Sequence, residues 1–334
     1  MKLNVKFRNP LLTGAIIMLV GGGLLTYGVA SSQPAYAEGT SNCEKLGWFP
    51  MDFGLKDHHV FWYGGYYYLV SIYVPEGEIN PFLQNQFAYA RTEDFCIWED
   101  LTPILPSGAF GTWEAIWAPY VYEENSIYYL YYTGVTKEST QMIALATSDD
   151  PSDPNSWILQ DKMIFRPDHS GMIWEDGQPA DCRDPTVIKM ETAYYLYYAG
   201  RDVSGSIIGL ATSISPEGPW TDWGSIITPE PNAILESPTI AQYGNAYYLF
   251  HNRSREGEFY QIGPSPGGPW GSSMALRPGW AHEIWQNLSG EWYTSYLTDY
   301  TVTISPLWWD TAFEPAHPTI LVDKVYFPLI INIY

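Results

Sequence analysis

The hydrophobic pattern of this chain consists of short apolar and aromatic runs separated by turn residues, and helical periodicity is almost absent. In the first clear unit, an apolar run ends at Tyr63, Gly64-Gly65 follow, and a second run opens with the tyrosines at 66–68. Two glycines between apolar runs predict a tight hairpin, because glycine accepts the positive φ angles that such turns require. The unit recurs with ten positions between a starting residue and an aromatic pair: Asp57 to Tyr67, Ala118 to Tyr128, Asp184 to Tyr194, Ser237 to Tyr247 and His282 to Trp292.

A third apolar run follows each hairpin, and a turn and then a tryptophan come after it. Each unit therefore predicts a meander of about four short strands. Repeats of 45 to 66 residues that each form a small sheet are typical of propellers, whose blades pack face to face around an axis. The sequence thus predicts an all-β fold, namely a five-bladed β-propeller in which each blade is a four-stranded antiparallel meander.

The beginning of the chain differs from the repeats. Three basic residues precede an apolar run from 11 to 29, and Ala35-Tyr36-Ala37 offers the small residues that a signal peptidase reads. We expect residues 1–37 to be a cleaved signal peptide and the mature protein to be secreted to the extracellular space. An uncleaved membrane anchor is the alternative, because the apolar run approaches the length of a spanning helix.

The remainder, residues 38–334, is expected to form a single catalytic propeller domain. Residues 38–56 show few periodic signals and are expected to be an exposed leading segment. Residues 312–334 are expected to be a C-terminal strand that closes the ring, or a tail.

Charge and aromatic content narrow the partners. The formal net charge is −21, and phosphate binding depends on clusters of Lys and Arg that this chain lacks, so we expect no nucleic-acid partner. Aromatic residues make up 16% of the chain. Most of them are expected to fill pleated, half-buried surfaces, and a few to stack on the C–H faces of sugars.

Three cysteines are present, Cys43, Cys96 and Cys182. An exported protein can form one disulfide from these, with three possible pairings and one thiol left over. Cys43 with Cys96 is favoured because both flank the first repeat. Cys182 is most simply a small buried residue.

The starting positions of the five units are expected to converge, because the innermost strand of every propeller blade begins near the axis. Three acids belong to this set: Asp57, Asp184 and Glu236, which directly precedes Ser237. Desolvated like charges are unfavourable unless they are paired or used, so the cluster predicts a catalytic site. Two carboxylates on opposite sides of a glycosidic bond can hydrolyse it, one by protonating the leaving oxygen and the other by activating water or attacking the anomeric carbon.

The same residues carry a resemblance to the five-bladed glycoside hydrolases of family 43, with family 32 as a close relative. It spans roughly residues 45 to 310 and rests on the order of these elements: Asp57, Trp117-Ala118-Pro119, Arg183-Asp184-Pro185, Glu236-Ser237-Pro238 and His282. The resemblance implies that Asp57 is the general base, Glu236 the general acid, and Asp184 the residue that modulates Glu236 and orients the substrate.

The resemblance also implies binding residues. His282 matches a blade-five histidine that, in many family members, lies near the axis beside a bound cation or water. The resemblance therefore allows a Ca²⁺ ion at the axis, and we expect that no cofactor is required. Arg183 is expected to pair with Asp184 or to touch a sugar hydroxyl, and Trp117 to form a stacking wall. We add Trp113 at the funnel rim and Arg253, for which an ion pair is the alternative role.

Two features depart from these families. His58 follows Asp57 where family 43 usually has proline, and the Asn-Asp-Pro-Asn run and the acid-cysteine pair of family 32 are absent. Asp52 is the nearest substitute acid, but its count to the tyrosine pair differs.

The expected function is a secreted, inverting glycosidase that cleaves α-L-arabinofuranoside or β-xyloside linkages in polysaccharides. The expected partner is an oligo- or polysaccharide, with no membrane partner after signal cleavage and a monomeric state. The alternatives are a noncatalytic carbohydrate-binding propeller and a fructan or sucrose hydrolase similar to family 32.

Overall fold

The computed structural model describes residues 45–78, 80–104, 113–227, 233–254 and 256–320. The expected signal peptide, Cys43 and residues 321–334 lie outside this part of the chain. Within it, no helix has the length and apolar character needed to cross a membrane. The described residues form strands joined by turns, with one short 3₁₀ helix, Pro81–Leu83.

The strands group into five antiparallel sheets, which confirms the predicted five-bladed propeller. Blade one contains β2 (Phe53–Tyr63), β3 (Tyr66–Pro75), β4 (Phe87–Thr92) and β5 (Glu99–Ile104). Blade two contains β6 (Ala115–Glu124), β7 (Ile127–Val135), β8 (Gln141–Ser148) and β9 (Ile158–Phe165). Blade three contains β10 (Cys182–Met190), β11 (Ala193–Asp202), β12 (Gly205–Ser213) and β13 (Thr221–Ser225). Blade four contains β14 (Leu235–Tyr243), β15 (Ala246–Arg253), β16 (Gly257–Gly263) and β17 (Met274–Leu276). Blade five contains β18 (Trp280–Gln286), β19 (Trp292–Thr298) and β20 (Thr301–Asp310), with β1 (Gly47–Trp48) and β21 (His317–Ile320) both paired to β20.

Both ends of the described chain join the last sheet. β1 pairs with one half of β20, where Gly47 lies opposite Thr303, and β21 pairs with the other half, where Pro318 lies opposite Trp309. The prediction of an exposed leading segment is therefore wrong for Trp48, which is 3% exposed because it packs against the rings of the first blade.

Five apolar cores lie between neighbouring blades, and consecutive residues of one strand enter different cores. In β3, Tyr68 and Val70 belong to the core between blades one and two, whereas Tyr67 and Leu69 belong to the core between blades five and one. Side chains alternate across a strand, so a blade covered on both faces needs apolar residues at every position. This explains why the central strands read as continuous apolar runs.

The abundant tyrosines also join the blades through their hydroxyl groups. In four successive blades a buried tyrosine donates to a backbone carbonyl in the outer turn of the next blade, at 2.7 to 2.8 Å: Tyr89 to Pro151, Tyr131 to Pro216, Tyr197 to Pro266 and Tyr248 to Ala316. A buried hydroxyl is unfavourable without such a partner. The repeat therefore places both the apolar body and the polar tip of each ring.

The cysteines behave differently from one another. Cys96 is disulfide-bonded, whereas Cys182 is a free thiol with no exposed surface. Burial raises the pKa of the Cys182 thiol well above its usual value. Its prediction as a small buried residue is confirmed.

Candidate active site

The innermost strand of each blade carries a β-bulge at its cavity end. The bulged pairs are Lys56-Asp57, Ala118-Pro119, Asp184-Pro185, Ser237-Pro238 and Ala281-His282. Ala118, Asp184, Ser237 and Ala281 have φ angles of 46°, 57°, 50° and 52°, which is the left-handed region. A bulge of this kind bends the strand and redirects the side chains that it carries.

The register corrects the sequence alignment in two blades. Asp57 and His282 are the second residues of their bulges, so the positions equivalent to Ala118, Asp184 and Ser237 are Lys56 and Ala281. Ten residues before Tyr67 lies the second bulge residue of blade one, whereas ten residues before Tyr128 lies the first bulge residue of blade two. The reason is that the ladder between bulge and turn runs over 58–63 in blade one, one residue longer than 120–124 in blade two. In blade five the turn over 287–291 is longer instead.

Bulge residues of blades one, three, four and five and Trp117 of blade two line one cavity of about 540 Å³, a size that suits a small-molecule ligand. Asp57, Asp184 and Glu236 all line it, so the structure brings together the three acids predicted from the sequence. The residue before each bulge also lines it: Leu55, Trp117, Arg183, Glu236 and Trp280.

Ser237 connects the acids. Its hydroxyl donates to Asp57 Oδ1 at 3.2 Å, and its backbone N–H donates to Asp184 Oδ2 at 2.9 Å. Glu236 directly precedes Ser237 in β14. The backbone N–H of Asp184 in turn donates to Thr133 Oγ1 at 3.1 Å, which ties the bulge of blade three to blade two. Three blades thus hold their acids through one shared hydrogen-bond chain.

Arg183 binds the acids from the side of blade three. Its Nη2 lies 3.0 Å from Glu236 Oε1, its Nη1 lies 3.1 Å from Asp181 Oδ1, and its Nε lies 3.8 Å from Asp184 Oδ2. Asp181 also pairs with Arg201 at 2.9 Å. The guanidinium therefore forms ion pairs with carboxylates, and its planar geometry fixes the position of Glu236.

Burial and repulsion raise the pKa values of two acids. Burial raises the pKa of Asp57 from 3.8 to about 6, and the charge of Glu236 adds to the shift. Burial also raises the pKa of Asp184 from 3.8 to about 8, with the charge of Asp57 adding to the shift and Arg183 opposing it. Because the two carboxyl groups repel each other when both are ionised, they titrate as a coupled pair, and binding of one proton by the pair is favoured over full ionisation.

Trp117 is the predicted binding residue that reaches the cavity beside the acids and Arg183. Its indole N–H donates to the carbonyl of Pro81 at 3.2 Å, so the loop after β3 fixes the ring. Trp113, predicted at the funnel rim, packs against the core between blades one and two and lies over Gly134, where a Cβ atom would be 2.6 Å from its ring. It does not line the cavity.

Two further predicted binding residues are buried. Arg253 is 7% exposed, with its guanidinium over the ring of Phe259 and 3.8 Å from Glu256, so the ion-pair alternative describes it. His282 has no exposed surface, and its nitrogens contact Thr294 Oγ1 at 2.8 Å and the carbonyl of Pro278 at 2.7 Å. The structure therefore does not place His282 among the residues that bind substrate, because both ring nitrogens are engaged by protein groups and the ring does not line the cavity.

No group of three or more His, Cys, Asp or Glu residues in the described ranges is arranged to hold a metal ion. The acids of the cavity are instead paired with Arg183 and Ser237, and both nitrogens of His282 are engaged by protein groups. A Ca²⁺ ion at the axis stays a prediction.

Several cavity residues were missed from the sequence: Lys56, Pro81, Gln84, Asn252, Trp280, Asp299 and Tyr300. Trp280 could have been found by aligning blade five on its bulge rather than on the aromatic pair, since it then falls on Trp117 and Glu236. Pro81, Gln84, Asp299 and Tyr300 lie between strands, where the repeat carries no signal, whereas Lys56 and Asn252 lie within β2 and β15.

The family described as the glycosyl hydrolases family 32 N-terminal domain matches residues 57–251, which is more than half of the chain. The chain therefore belongs to this family. The matched range includes all three acids and ends within β15.

Individual relatives agree with the propeller class. A probable arabinan endo-1,5-α-L-arabinosidase A of Aspergillus fumigatus is 28% identical over 199 residues, covering 53% of this chain and 57% of that protein. An insoluble isoenzyme of β-fructofuranosidase of Arabidopsis thaliana is 34% identical over 131 residues, covering 37% of this chain and 20% of that protein. The chain thus spans little more than half the length of the first relative and a fifth of the second.

Among solved structures, a family 43 β-xylosidase/α-arabinofuranosidase from a compost microbial metagenome superposes with a TM-score of 0.62. The identity is 17%, and the match covers 81% of this chain and 96% of that one. At this identity the likeness concerns the fold, and it supports a propeller of the family 43 type.

Proposed function

We propose that this protein is a secreted glycoside hydrolase that cleaves α-L-arabinofuranoside or β-xyloside linkages in polysaccharides by single displacement with inversion. The observation that carries the proposal is the meeting of Asp57, Asp184 and Glu236, from three blades, in one cavity. Two of these acids have raised pKa values because they are buried together. Buried acids with perturbed pKa values in a cleft are typical of catalytic sites.

Each acid has a role in this proposal. Glu236 protonates the leaving oxygen, while Asp57 accepts a proton from the water that attacks the anomeric carbon. With a pKa of about 6, Asp57 is a stronger base than an ordinary carboxylate and is still mainly ionised at neutral pH. Asp184 holds the N–H of Ser237 and lies 3.8 Å from Nε of Arg183, and so positions the other two acids.

The substrate class rests on relatives. The Aspergillus fumigatus protein is described as an arabinan endo-1,5-α-L-arabinosidase, and the compost structure as a β-xylosidase/α-arabinofuranosidase. Both descriptions name pentose linkages. The aromatic wall at Trp117 and the neutral residue Asn252 also suit an uncharged sugar, because the cavity already carries an excess of carboxylates.

Hydrolysis of β-fructofuranosides is the second candidate. It is favoured by the family 32 match over residues 57–251 and by the β-fructofuranosidase of Arabidopsis thaliana. Both candidate activities use paired carboxylates, so the acids do not distinguish between them. The substrate that is cleaved distinguishes between them.

The test is digestion of a panel of arabinan, xylan, aryl arabinofuranoside, aryl xyloside, sucrose and levan, with product analysis and ¹H NMR of the anomeric configuration first formed. We expect pentose release with inversion, and a loss of about 10²- to 10⁴-fold in Asp57→Asn, because a general base contributes that much. Asp52→Asn is the matched control, since Asp52 is an exposed acid five positions earlier that does not line the cavity.

Release of fructose instead of pentose would support the second candidate. Product with retained configuration would contradict single displacement. Sugar binding without turnover of any substrate by the wild-type protein would instead identify a carbohydrate-binding propeller.

A further inference from the structure

Blade five contributes an aromatic residue to the cavity at the position directly before its bulge. The residue before each bulge lines the cavity in all five blades, and in blade five this residue is Trp280. Arg183 and Glu236, at the same position in blades three and four, carry the polar contacts of the site. Trp280 is 49% exposed, although tryptophan has the largest apolar surface of any side chain available to bury.

Tyr300 lines the same cavity from the turn between β19 and β20. Asp299 and Tyr300 occupy the two turn positions with φ angles of 49° and 60°. Glycine and asparagine adopt this left-handed conformation readily, whereas a bulky residue there is strained. Tyr300 is nevertheless 56% exposed and lines the cavity, so burial does not compensate for the strain.

Both rings are about half exposed. In the described part of the chain, neither Trp280 nor Tyr300 contacts another aromatic ring, and neither the indole N–H nor the phenol hydroxyl has a hydrogen-bond partner. The contrast with Trp117 is direct, because its N–H is bound by Pro81. Within the described ranges, two large, half-exposed aromatic side chains therefore line the cavity with their ring faces free of aromatic contacts and their polar groups without hydrogen bonds.

Their location relative to the acids is fixed by neighbouring strands. Blade five lies between blade four, which carries Glu236, and blade one, which carries Asp57. The carbonyl of Tyr300 accepts from the N–H of Leu55 at 2.7 Å, and a Cβ atom on Gly54 would lie 3.0 Å from Cβ of Tyr300. The absence of a side chain at Gly54 lets the turn approach β2, which holds Tyr300 beside the bulge that presents Asp57.

We propose that Trp280 and Tyr300 form a binding surface for a second sugar unit of the substrate chain, so that the site takes an oligosaccharide rather than a single sugar. The identity of the ligand as a carbohydrate rests on the proposed function. The C–H face of a sugar ring stacks on an aromatic face while its hydroxyls stay solvated, and rings with an apolar body and a polar tip suit this contact. Asp299, adjacent in the turn, supplies a carboxylate for the sugar hydroxyls.

The test compares Trp280→Ala and Tyr300→Ala with wild type on a pentose tetrasaccharide and on an aryl monoglycoside. We expect kcat/KM on the tetrasaccharide to fall at least about tenfold in each variant, while kcat/KM on the monoglycoside changes less than about threefold. Trp223→Ala is the matched control, because Trp223 is 64% exposed on the outer strand of blade three, away from the cavity.

Two further variants separate binding from folding. Tyr300→Phe keeps the ring and is expected to keep the tetrasaccharide activity. Tyr300→Gly removes both the ring and the backbone strain, so its Tm is expected to equal or exceed that of wild type while tetrasaccharide binding falls. A residue with only a structural role would show the opposite change in Tm.

Calorimetric titration of tetrasaccharide into Glu236→Gln and into its double variants with Trp280→Ala and Tyr300→Ala measures the contact without turnover. Affinity that falls at least about tenfold in the double variants supports the proposal, even if the wild-type protein hydrolyses nothing. Equal affinity in all three proteins, or no tetrasaccharide binding at all, would overturn it. Equal losses of kcat/KM on the tetrasaccharide and the monoglycoside would overturn it as well.

Discussion

The bulges of blades three and five have the same backbone and opposite uses. In blade three the first bulge residue, Asp184, has a φ of 57° and presents a carboxylate to the cavity. In blade five the first bulge residue, Ala281, has a φ of 52° and presents a methyl group. The polar residue of blade five, His282, comes one position later and is buried, with its ring stacked on Tyr296 at 4.9 Å.

This difference shows that the backbone conformation of a repeated bulge and the chemistry of its side chain are separate properties. The left-handed bulge belongs to the fold, because it recurs in blades that carry alanine, aspartate or serine there. The chemistry depends on which side chain occupies the first position and on which partners receive it. Asp184 has partners in the cavity, whereas the partners of His282 lie inside its own blade.

The largest expected effect comes from Asp184→Asn. Under the proposed mechanism, kcat/KM falls at least about 100-fold, because the amide can no longer share a proton with Asp57 or pair with Arg183. The amide oxygen can still accept the N–H of Ser237, so the bulge itself is kept. Steady-state kinetics measure the change, and activity within threefold of wild type would remove Asp184 from the site.

The same variant is expected to gain stability at alkaline pH. The pKa of Asp184 is raised from 3.8 to about 8, so the folded protein binds its proton more tightly than the unfolded chain does. The contribution of Asp184 to stability is therefore full below pH 3.8 and is lost as pH rises towards 8. Asparagine has no charge to bury, and the Tm at pH 8 should exceed that of wild type by about 4 °C or more. At pH 4 the two Tm values should converge, and a deficit of the variant at pH 8 would contradict the assignment.

His282→Ala is expected to have an intermediate effect, and the effect is on stability rather than on activity. Loss of a fully buried ring and of partners for Thr294 and Pro278 should lower the free energy of unfolding by about 2 to 4 kcal/mol. The activity of the folded fraction should stay within about threefold of wild type, because the ring does not line the cavity. Chemical denaturation measures the first quantity and kinetics the second. Normal stability together with loss of activity would instead show that His282 belongs to the active site.

The smallest effect is expected from Ala281→Gly. Glycine adopts the left-handed φ of 52° without strain, but it also gains entropy in the unfolded chain, so the two effects nearly cancel and the net change should be below about 1 kcal/mol. Ala118→Gly, at the equivalent bulge of blade two, is the matched control. A much larger loss at either position would mean that the methyl group, rather than the backbone conformation, is what the bulge requires.

The sequence determined the propeller, its blade count and the residues that carry acids, because these properties reside in local periodicity. Hairpins with aromatic pairs at a constant count can be recognised from neighbours in the chain, and Asp57, Asp184 and Glu236 lay at or beside those counts. Only the tertiary structure decided which side chain of each bulge faces the cavity. A shift of one residue in a strand sends a side chain to the other face, so the longer ladder of blade one and the longer turn of blade five displaced Lys56 and Ala281 from their expected alignment. The aromatic surface of Trp280 and Tyr300 also depended on tertiary structure, since the pairing of β18 with β19 and the left-handed turn after β19 bring a strand residue and a turn residue to the same cavity.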